Sequence, residues 1–520
     1  MMEEAAMRRR ERIPWAAAIV GLALVLGALT GAGAAVPTQL VIGQAVDAVT
    51  LDPQMSTQLQ VMNLFWNIYD CLTVFDDQMQ LKPQLATSWQ AVNPTTWQFK
   101  LRQGVRYHNG ELFDAESVKF HVERVLQPGK TAVTAGFATI ERVQALDPYT
   151  INVVTKKPDP LLARRFAAYG CQMIPPKYTQ QVGFPGLALK PVGTGPYRFV
   201  EWVKDSHIVL EANKDYWGGP PGIERVTWKP IPDNFARVAA LAKGEVDLVT
   251  NVPVDLVSTI QKSSTARVEW TVTNLIMALV MGHGGPNEPI HDRRVRLAMN
   301  LAIDRDALIQ KLMQGYGVAV GSGIPTTDFG YDPTVKPHPY DPERAKKLLA
   351  EAGYPNGFTT SLKFAPGYII MDKPVMEAVS GMLAQVGITA RLDSIEMAVR
   401  TRMIGDRKIQ GFLLADPAST LNDADGIVWR LLHPSGILGT YWEPANEGGE
   451  FFKIMEEARY SLDERHRLEL YHRAAQFMHD DPPWIYLMQE PAIFGVSNKW
   501  NFKPRPETRL NVTSVTARTQ

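Results

Sequence analysis

The stretch from Trp97 to Leu126 reads W-Q-F-K-L-R-Q-G-V-R-Y-H-N-G-E-L-F-D-A-E-S-V-K-F-H-V-E-R-V-L. Trp97, Phe99 and Leu101 alternate with Gln98, Lys100 and Arg102, the period of a half-buried strand. Gly104 and the Asn109-Gly110 pair then punctuate a turn-rich segment. Asp114 is placed to cap a helix, with Phe113 before it and Val118 four residues after it as a hydrophobic staple. Val118, Val122 and Val125 continue at helical spacing. The residues alone give one strand-turn-helix unit of an α/β protein.

Outward from that unit the chain stays α/β. Leu40-Val41-Ile42 is a short strand, Ala48 to Pro53 a loop, and Asn63 to Tyr69 part of a helix. Ile151 to Val154 is a further strand, and Pro175-Pro176 closes that region. Pro191-Val192-Gly193-Thr194-Gly195-Pro196-Tyr197 is a tight loop, because two glycines and two prolines suit neither a helix nor a central strand. In the second half, Asp292, Asp304 and Asp341 are expected to cap helices, the last with Pro342 at the first helical position. Leu362 to Phe364, a helix through Val375, Val379 and Leu383, and a strand through Ile388, Ala390 and Leu392 form a βαβ unit, which predicts a parallel pair. Asp463 to Met478 is helical, and Trp484 to Leu487 reads as a strand. The tail after Val512 is polar and expected to fray.

At 520 residues the chain holds about three domains of roughly 150 residues. Its 54 basic and 54 acidic residues balance, so it lacks the basic footprint of a nucleic-acid binder. The N-terminus has Arg8, Arg9, Arg10 and Arg12, then an apolar run from Trp15 to Leu29, then Ala32-Gly33-Ala34. That order marks residues 1–34 as a secretory signal peptide; an uncleaved anchor is the other reading. No Cys follows the apolar run, so lipid attachment is not indicated. Export permits a disulfide. Cys71 and Cys171 either pair or remain two buried thiols.

Searches for chemistry fail residue by residue. Gly129-Lys130-Thr131 has Arg124 where a phosphate loop needs glycine. Gly495-Val496-Ser497 lacks the second glycine of a serine elbow. His466, His472 and His479 lie six and seven residues apart and do not share a helix face. Asp423-Ala424-Asp425-Gly426 has Leu421 and Leu432 where a calcium loop needs ligands. No cofactor or metal is expected, and no enzyme activity.

Beyond these readings there is a resemblance. The order L-R-x-G-V-x-Y-H-N-G then F-D-A-E-x-V resembles the signature of the extracytoplasmic solute-binding proteins of ABC transporters, family 5, the peptide- and nickel-binding type. The likeness continues in P-Q-L-A-T-S-W at 83–89, P-V-G-T-G-P-Y at 191–197, N-K-D-Y-W at 213–217 and G-E-V-D-L at 244–248. It runs on in D-R-R-V-R-L-A-M-N-L-A-I-D-R at 292–305 and D-P-E-R-A-K-K-L-L-A-E-A-G-Y at 341–354.

The resemblance implies the two-lobed periplasmic-binding-protein fold, class II and of the large type, with an extra subdomain in lobe I. Residues 36–280 and 489–520 would form lobe I, with the subdomain at about 76–190, and 281–488 would form lobe II. The solute would be peptide-like or another small organic molecule, held between lobes that close on it and delivered to an inner-membrane ABC permease. The protein would be a bacterial, periplasmic monomer that is not lipid-anchored. The alternatives are a secreted enzyme on a related scaffold, or a chaperone-like or sensory binding protein.

Site residues also follow from the resemblance. The segment Gly411 to Pro417 is similar to the strand end with which peptide binders meet a ligand ammonium. Asp416 is its carboxylate, flanked by Ala415 and Leu414. Ala48 and Val49 match the lobe I segment that pairs with ligand backbone, and Tyr486 is a pocket wall. Gln410 and the stretch Ala365 to Tyr368 depart from peptide binders, which carry arginines there. A buried ligand carboxylate without an arginine is costly, so a cationic or neutral solute, or an amide, fits better.

Overall fold

The computed structural model describes residues 38–281, 288–419, 421–434, 436, 438, 442 and 448–518. The expected signal peptide, residues 1–34, lies outside them. Thr38–Arg518 forms one compact unit.

A ten-stranded sheet runs through that unit. Two long strands, Ala266–Met281 and Trp484–Ser497, pair antiparallel at its centre. On one side lie Leu248–Val249, Gln39–Gln44, Arg225–Pro230, His207–Ala212 and Tyr197–Val203; on the other lie Phe412–Ala415, Phe358–Phe364 and Ile388–Ser394. The chain is therefore two-lobed, with the two central strands shared between lobes. Its apolar residues form two large cores: one built around Ile42, Phe65, Phe99 and Trp228, the other around Met299, Val379, Leu413 and Trp484. The boundary between them crosses Trp484–Ser497, since Ile493 packs in one core and Phe494 in the other.

The extra subdomain is a four-stranded antiparallel sheet of Ala86–Asn93, Thr96–Leu101, Thr150–Thr155 and Ile140–Asp147, with helix Ala115–Val125 beside it. Asp114 caps that helix: its carboxylate accepts from the Ser117 amide at 3.0 Å, and Ser117 Oγ accepts in return from the Asp114 amide. Such a cap contributes roughly 1 kcal/mol. Arg124 on the same helix forms a buried ion pair with Asp52 (Nη1–Oδ1 2.9 Å), which ties the helix to the Leu51-Asp52-Pro53 loop.

The caps expected at Asp292, Asp304 and Asp341 are all formed, and Asp463 caps a further helix. Strands Phe358–Phe364 and Ile388–Ser394 pair parallel, as the βαβ pattern predicts. Three local expectations are corrected. Pro176 does not close a region but opens helix Pro176–Leu189, since proline is tolerated at a first helical position. After Asp304 one turn of α-helix, Arg305–Ala307, widens into a π-turn at Leu308–Leu312. The tail to Arg518 is docked: Thr516–Ala517 pairs with Trp500–Asn501, and Leu510, Val512 and Val515 are buried. Single buried apolar residues between polar ones hide that docking from the sequence.

Cys71 and Cys171 are joined in a disulfide, with Cα atoms 5.2 Å apart. It closes a loop of 100 residues in sequence, which contains most of the subdomain. Chain-entropy arguments put such a link at about 4–5 kcal/mol, and measured values run lower. Replacing both cysteines by serine should therefore cost about 2–4 kcal/mol, read as an earlier denaturant midpoint. A midpoint equal to that of the oxidised wild type would show that the link contributes nothing.

Candidate functional site

The family-like motifs are first of all structural. Asp70 lies just after helix Leu59–Ile68 and is buried. Its carboxylate accepts four side-chain hydrogen bonds: from Gln84 Nε2 (2.7 Å), Thr194 Oγ1 (3.0 Å), Tyr216 Oη (3.1 Å) and Trp217 Nε1 (2.8 Å). Gln84 belongs to P-Q-L-A-T-S-W, Thr194 to P-V-G-T-G-P-Y, and Tyr216 and Trp217 to N-K-D-Y-W. His108 of Y-H-N-G bonds Gly195 O, and Asn213 Nδ2 donates to the same carbonyl. Three motifs far apart in sequence thus close on one carboxylate, and a fourth locks the loop that carries Thr194. Gly193 and Gly195 are required there: a Cβ on either would stand 2.0 or 2.7 Å from the Ile68 carbonyl oxygen. The loop packs against protein backbone.

Side chains also link the lobes away from the shared strands. Arg164 donates to the carbonyls of Asn422 (3.2 Å) and Leu421 (3.5 Å). Leu161 and Ala168 pack on Leu421. Several cavities have walls from both lobes, two of them of about 400 Å³ or more. One, of about 400 Å³, is lined by Tyr169, Arg165, Asp425, Trp429, Arg430 and Arg459 among others. Its charges are already satisfied. Arg459 pairs with Asp425 (2.8 Å), Arg165 with Asp159 (2.7 Å), and Arg430 donates to the Ala418 carbonyl (2.5 Å).

The other cavity, of about 440 Å³, is different. Asn63, Asn251 and Thr250 line it from lobe I, Tyr368, Asp372 and Asp416 from lobe II, and Glu490 to Phe494 from a central strand. Asp416 sits just past the end of strand Phe412–Ala415. The Tyr368 hydroxyl donates to it, and Arg400 stacks 4.3 Å from the Tyr368 ring centroid. Burial raises the Asp416 carboxyl above its usual range, while the Tyr368 hydrogen bond and Arg400 oppose the rise. Asp372 is spoken for, accepting from the Gly367 and Lys373 amides, each at 2.6 Å.

Of the residues expected at the site, the structure brings only Asp416 to a cavity wall. Leu414 and Ala415 are buried where their strand pairs with Ala266–Met281, and neither lines either cavity. Tyr486 is fully buried; its hydroxyl donates to the Met478 carbonyl at 3.3 Å, and it lines neither cavity. Ala48 is buried in the lobe I core, and Val49 is 70% exposed. Neither lines a cavity.

The sequence reading missed Glu490 and Arg400. Glu490 is the sole carboxylate in the run from Trp484 to Ser497. A lone acid in an otherwise apolar strand was the available signal, since an unpaired buried charge is costly. Arg400 lies on helix Met397–Gly405, where it cannot be told from the solvated Arg402 nearby. The three expected non-ligand histidines each have a partner of their own: His466 with Glu457, His472 with Asp332 and His479 with Asp480. Among the described residues no group of three His, Cys, Asp or Glu is placed to hold a metal ion.

With this geometry in view, comparison with known proteins defines the class. The profile of the family described as bacterial extracellular solute-binding proteins, family 5, matches residues 80–438. The chain belongs to that family, whose members capture solutes for import by ABC transporters. It is 29% identical over 509 residues to the glutathione-binding protein GsiB of Pectobacterium atrosepticum, covering 93% of this chain and 96% of that protein. The periplasmic binding protein DppA from Helicobacter pylori, solved in complex with the peptide STSA, superposes with a TM-score of 0.75 at 26% identity, covering 92% of this chain and 98% of that one. HbpA2 from Haemophilus parasuis superposes with a TM-score of 0.82 at 23% identity, over 92% and 100% of the two chains, and supports the fold. No helix among the described residues is long and apolar enough to cross a membrane.

Proposed function

We propose that this protein captures a peptide-like or other small organic solute in the cavity bordered by Asp416 and hands it to an inner-membrane permease. The observation that carries the reading is the cavity of about 440 Å³ itself, whose walls come from both lobes and from the strand they share. A volume of that size suits a ligand of drug or short-peptide dimensions. Asp416 is the group that meets a positive or hydrogen-bond-donating end of the solute. Glutathione, named for one relative, and short peptides, found with another, are the first solutes to try. The chain is exported by residues 1–34 and works outside the cytoplasm as a monomer, binding without catalysis. Lobe I comprises 36–280 and 489–520, and lobe II 281–488.

Solute between lobes biases an open–closed equilibrium toward closure. Small-angle scattering should therefore give a smaller radius of gyration at saturating solute than without it. An unchanged radius with a bound solute would remove the hinge account. Mass spectrometry of protein purified from its source should recover an intact solute; recovery of a processed product would favour the enzyme instead.

A further inference from the structure

Glu490 occupies an irregular point of the sheet. Along the two shared strands the register is regular from Ala266 opposite Ser497 to Val272 opposite Pro491, and it resumes with Ile276 opposite Gln489. Thr273 to Leu275 bulge out between those pairs, opposite Glu490. Pro491 has no amide hydrogen to give a ladder, which suits a bulge. Local bonds hold the bulge: Thr273 Oγ1 donates to the Glu490 carbonyl at 3.0 Å, the Leu275 amide donates to Thr273 Oγ1 at 3.1 Å, and Gln489 Nε2 donates to the Thr273 carbonyl. Bulges re-aim side chains, and this one turns Glu490 toward the cavity.

The carboxyl group that results is unusual. Glu490 is 7% exposed, and its Oε1 is buried with no hydrogen-bond partner among the described residues. The charged and titratable groups around the cavity are few. Asp416 and Tyr368 face it from lobe II, Asp372 is held by two backbone amides, and Arg400 stands behind Tyr368. Lobe I contributes the uncharged Asn63, Asn234, Thr250 and Asn251. Among the described residues no lysine, arginine or histidine lines the cavity. Burial, with the Asp416 charge adding to it, pushes Glu490 up to about 8. Empty, Glu490 therefore holds its proton near neutral pH.

We propose that Glu490 and Asp416 together form the seat for an organic ammonium group, and that its capture expels the Glu490 proton to solvent. The inference rests on the reading of this cavity as the solute site. An incoming cation supplies the partner that Glu490 Oε1 lacks and relieves the repulsion between the two carboxylates. The reaction balances: protonated protein plus cation gives the complex plus one proton in the buffer. A cation would thus be preferred over a neutral isostere, and more strongly as pH rises.

The test uses the full mature chain and two probes, alanyl-alanine amide and its N-acetylated, uncharged form. Titration calorimetry at pH 7 in buffers of different ionisation enthalpy should show about one proton released per cation bound. Affinity for the cation should climb by up to about tenfold per pH unit below about 8 and fall again above it, where the probe's own amine loses its proton. Glu490→Gln should abolish both the proton release and the slope. No proton release by a bound cation, or equal affinity for both probes, would overturn this inference alone. Binding of neither probe would overturn the cavity as the solute seat, and this inference with it.

A second measurement needs no ligand. A carboxyl raised in the folded state binds more protons than in the unfolded chain, so stability falls as pH rises from about 5 to 8. Wild type and Glu490→Gln should melt alike at pH 5, and the variant should melt higher at pH 8. Parallel melting curves across that range would overturn the protonated state on which the proposal depends.

Discussion

Asp416→Ala should weaken solute binding by roughly 30-fold to several thousandfold. The range follows from about 2–5 kcal/mol for removing one partner of a buried charged pair, at about tenfold per 1.4 kcal/mol. Asp416 has the geometry for that loss: it lies just past the end of a lobe II strand, half-buried at the cavity, and is oriented by Tyr368. Stability without solute should not fall. Burial raises the Asp416 carboxyl, and a raised carboxyl destabilises the fold as pH climbs through that range, so its removal at pH 7 is neutral or slightly favourable. Asp416→Asn should restore part of the affinity for a neutral solute and little for a cation. Calorimetry with the solute recovered from native protein gives the answer. Wild-type affinity in Asp416→Ala would mean that this carboxylate does not touch the solute.

Tyr368 sets the orientation of Asp416. Its hydroxyl is the one side-chain donor to Asp416 among the described residues, and burial with the nearby Asp416 charge pushes its own ionisation up to about 12. Tyr368 thus remains a donor across the working pH range. Arg400 packed on its ring tempers the Asp416 carboxyl without lining the cavity. The stretch Ala365 to Tyr368, which lacks the arginine of peptide binders, therefore supplies an orienting hydroxyl in place of a carboxylate clamp.

The sequence discloses the frame far better than the site. Caps at Asp114, Asp292 and Asp341 can be read because a cap is a local event: one side chain meets an amide two or three residues away. The parallel pair 358–394 is legible for the same reason, since strand, helix and strand follow at fixed spacing. Asp416 is found because it ends a strand within a family-like segment. Glu490 is not, because its exposure depends on a bulge in the opposite strand, more than two hundred residues away in sequence. Tyr486 fails in the converse way. An aromatic in the strand Trp484–Ser497 suggests a wall, but the strand is buried on both faces in lobe II and the ring faces core.

The four-donor knot at Asp70 predicts a large stability effect with no cavity involved. Asp70→Ala removes one acceptor group and orphans Gln84, Thr194, Tyr216 and Trp217 together. Burial raises the Asp70 carboxyl, and the hydrogen bonds from Trp217, Thr194, Tyr216 and Gln84 oppose that rise. Stripping one side of such a buried charged network costs about 3–5 kcal/mol. Water is poorly placed to repair it, because the loop carrying Thr194 packs onto the Ile68 backbone with room only for glycine. Asp70→Asn keeps the shape and one acceptor oxygen but turns an amide toward donors, so it should recover less than half of the loss. The measurement is the guanidinium midpoint of each variant, followed by both fluorescence and circular dichroism. The fluorescence transition should move first if the knot opens locally, because Trp217 sits on Asp70. A midpoint in Asp70→Ala within error of wild type would show that the motifs meet at Asp70 without stabilising the fold through it.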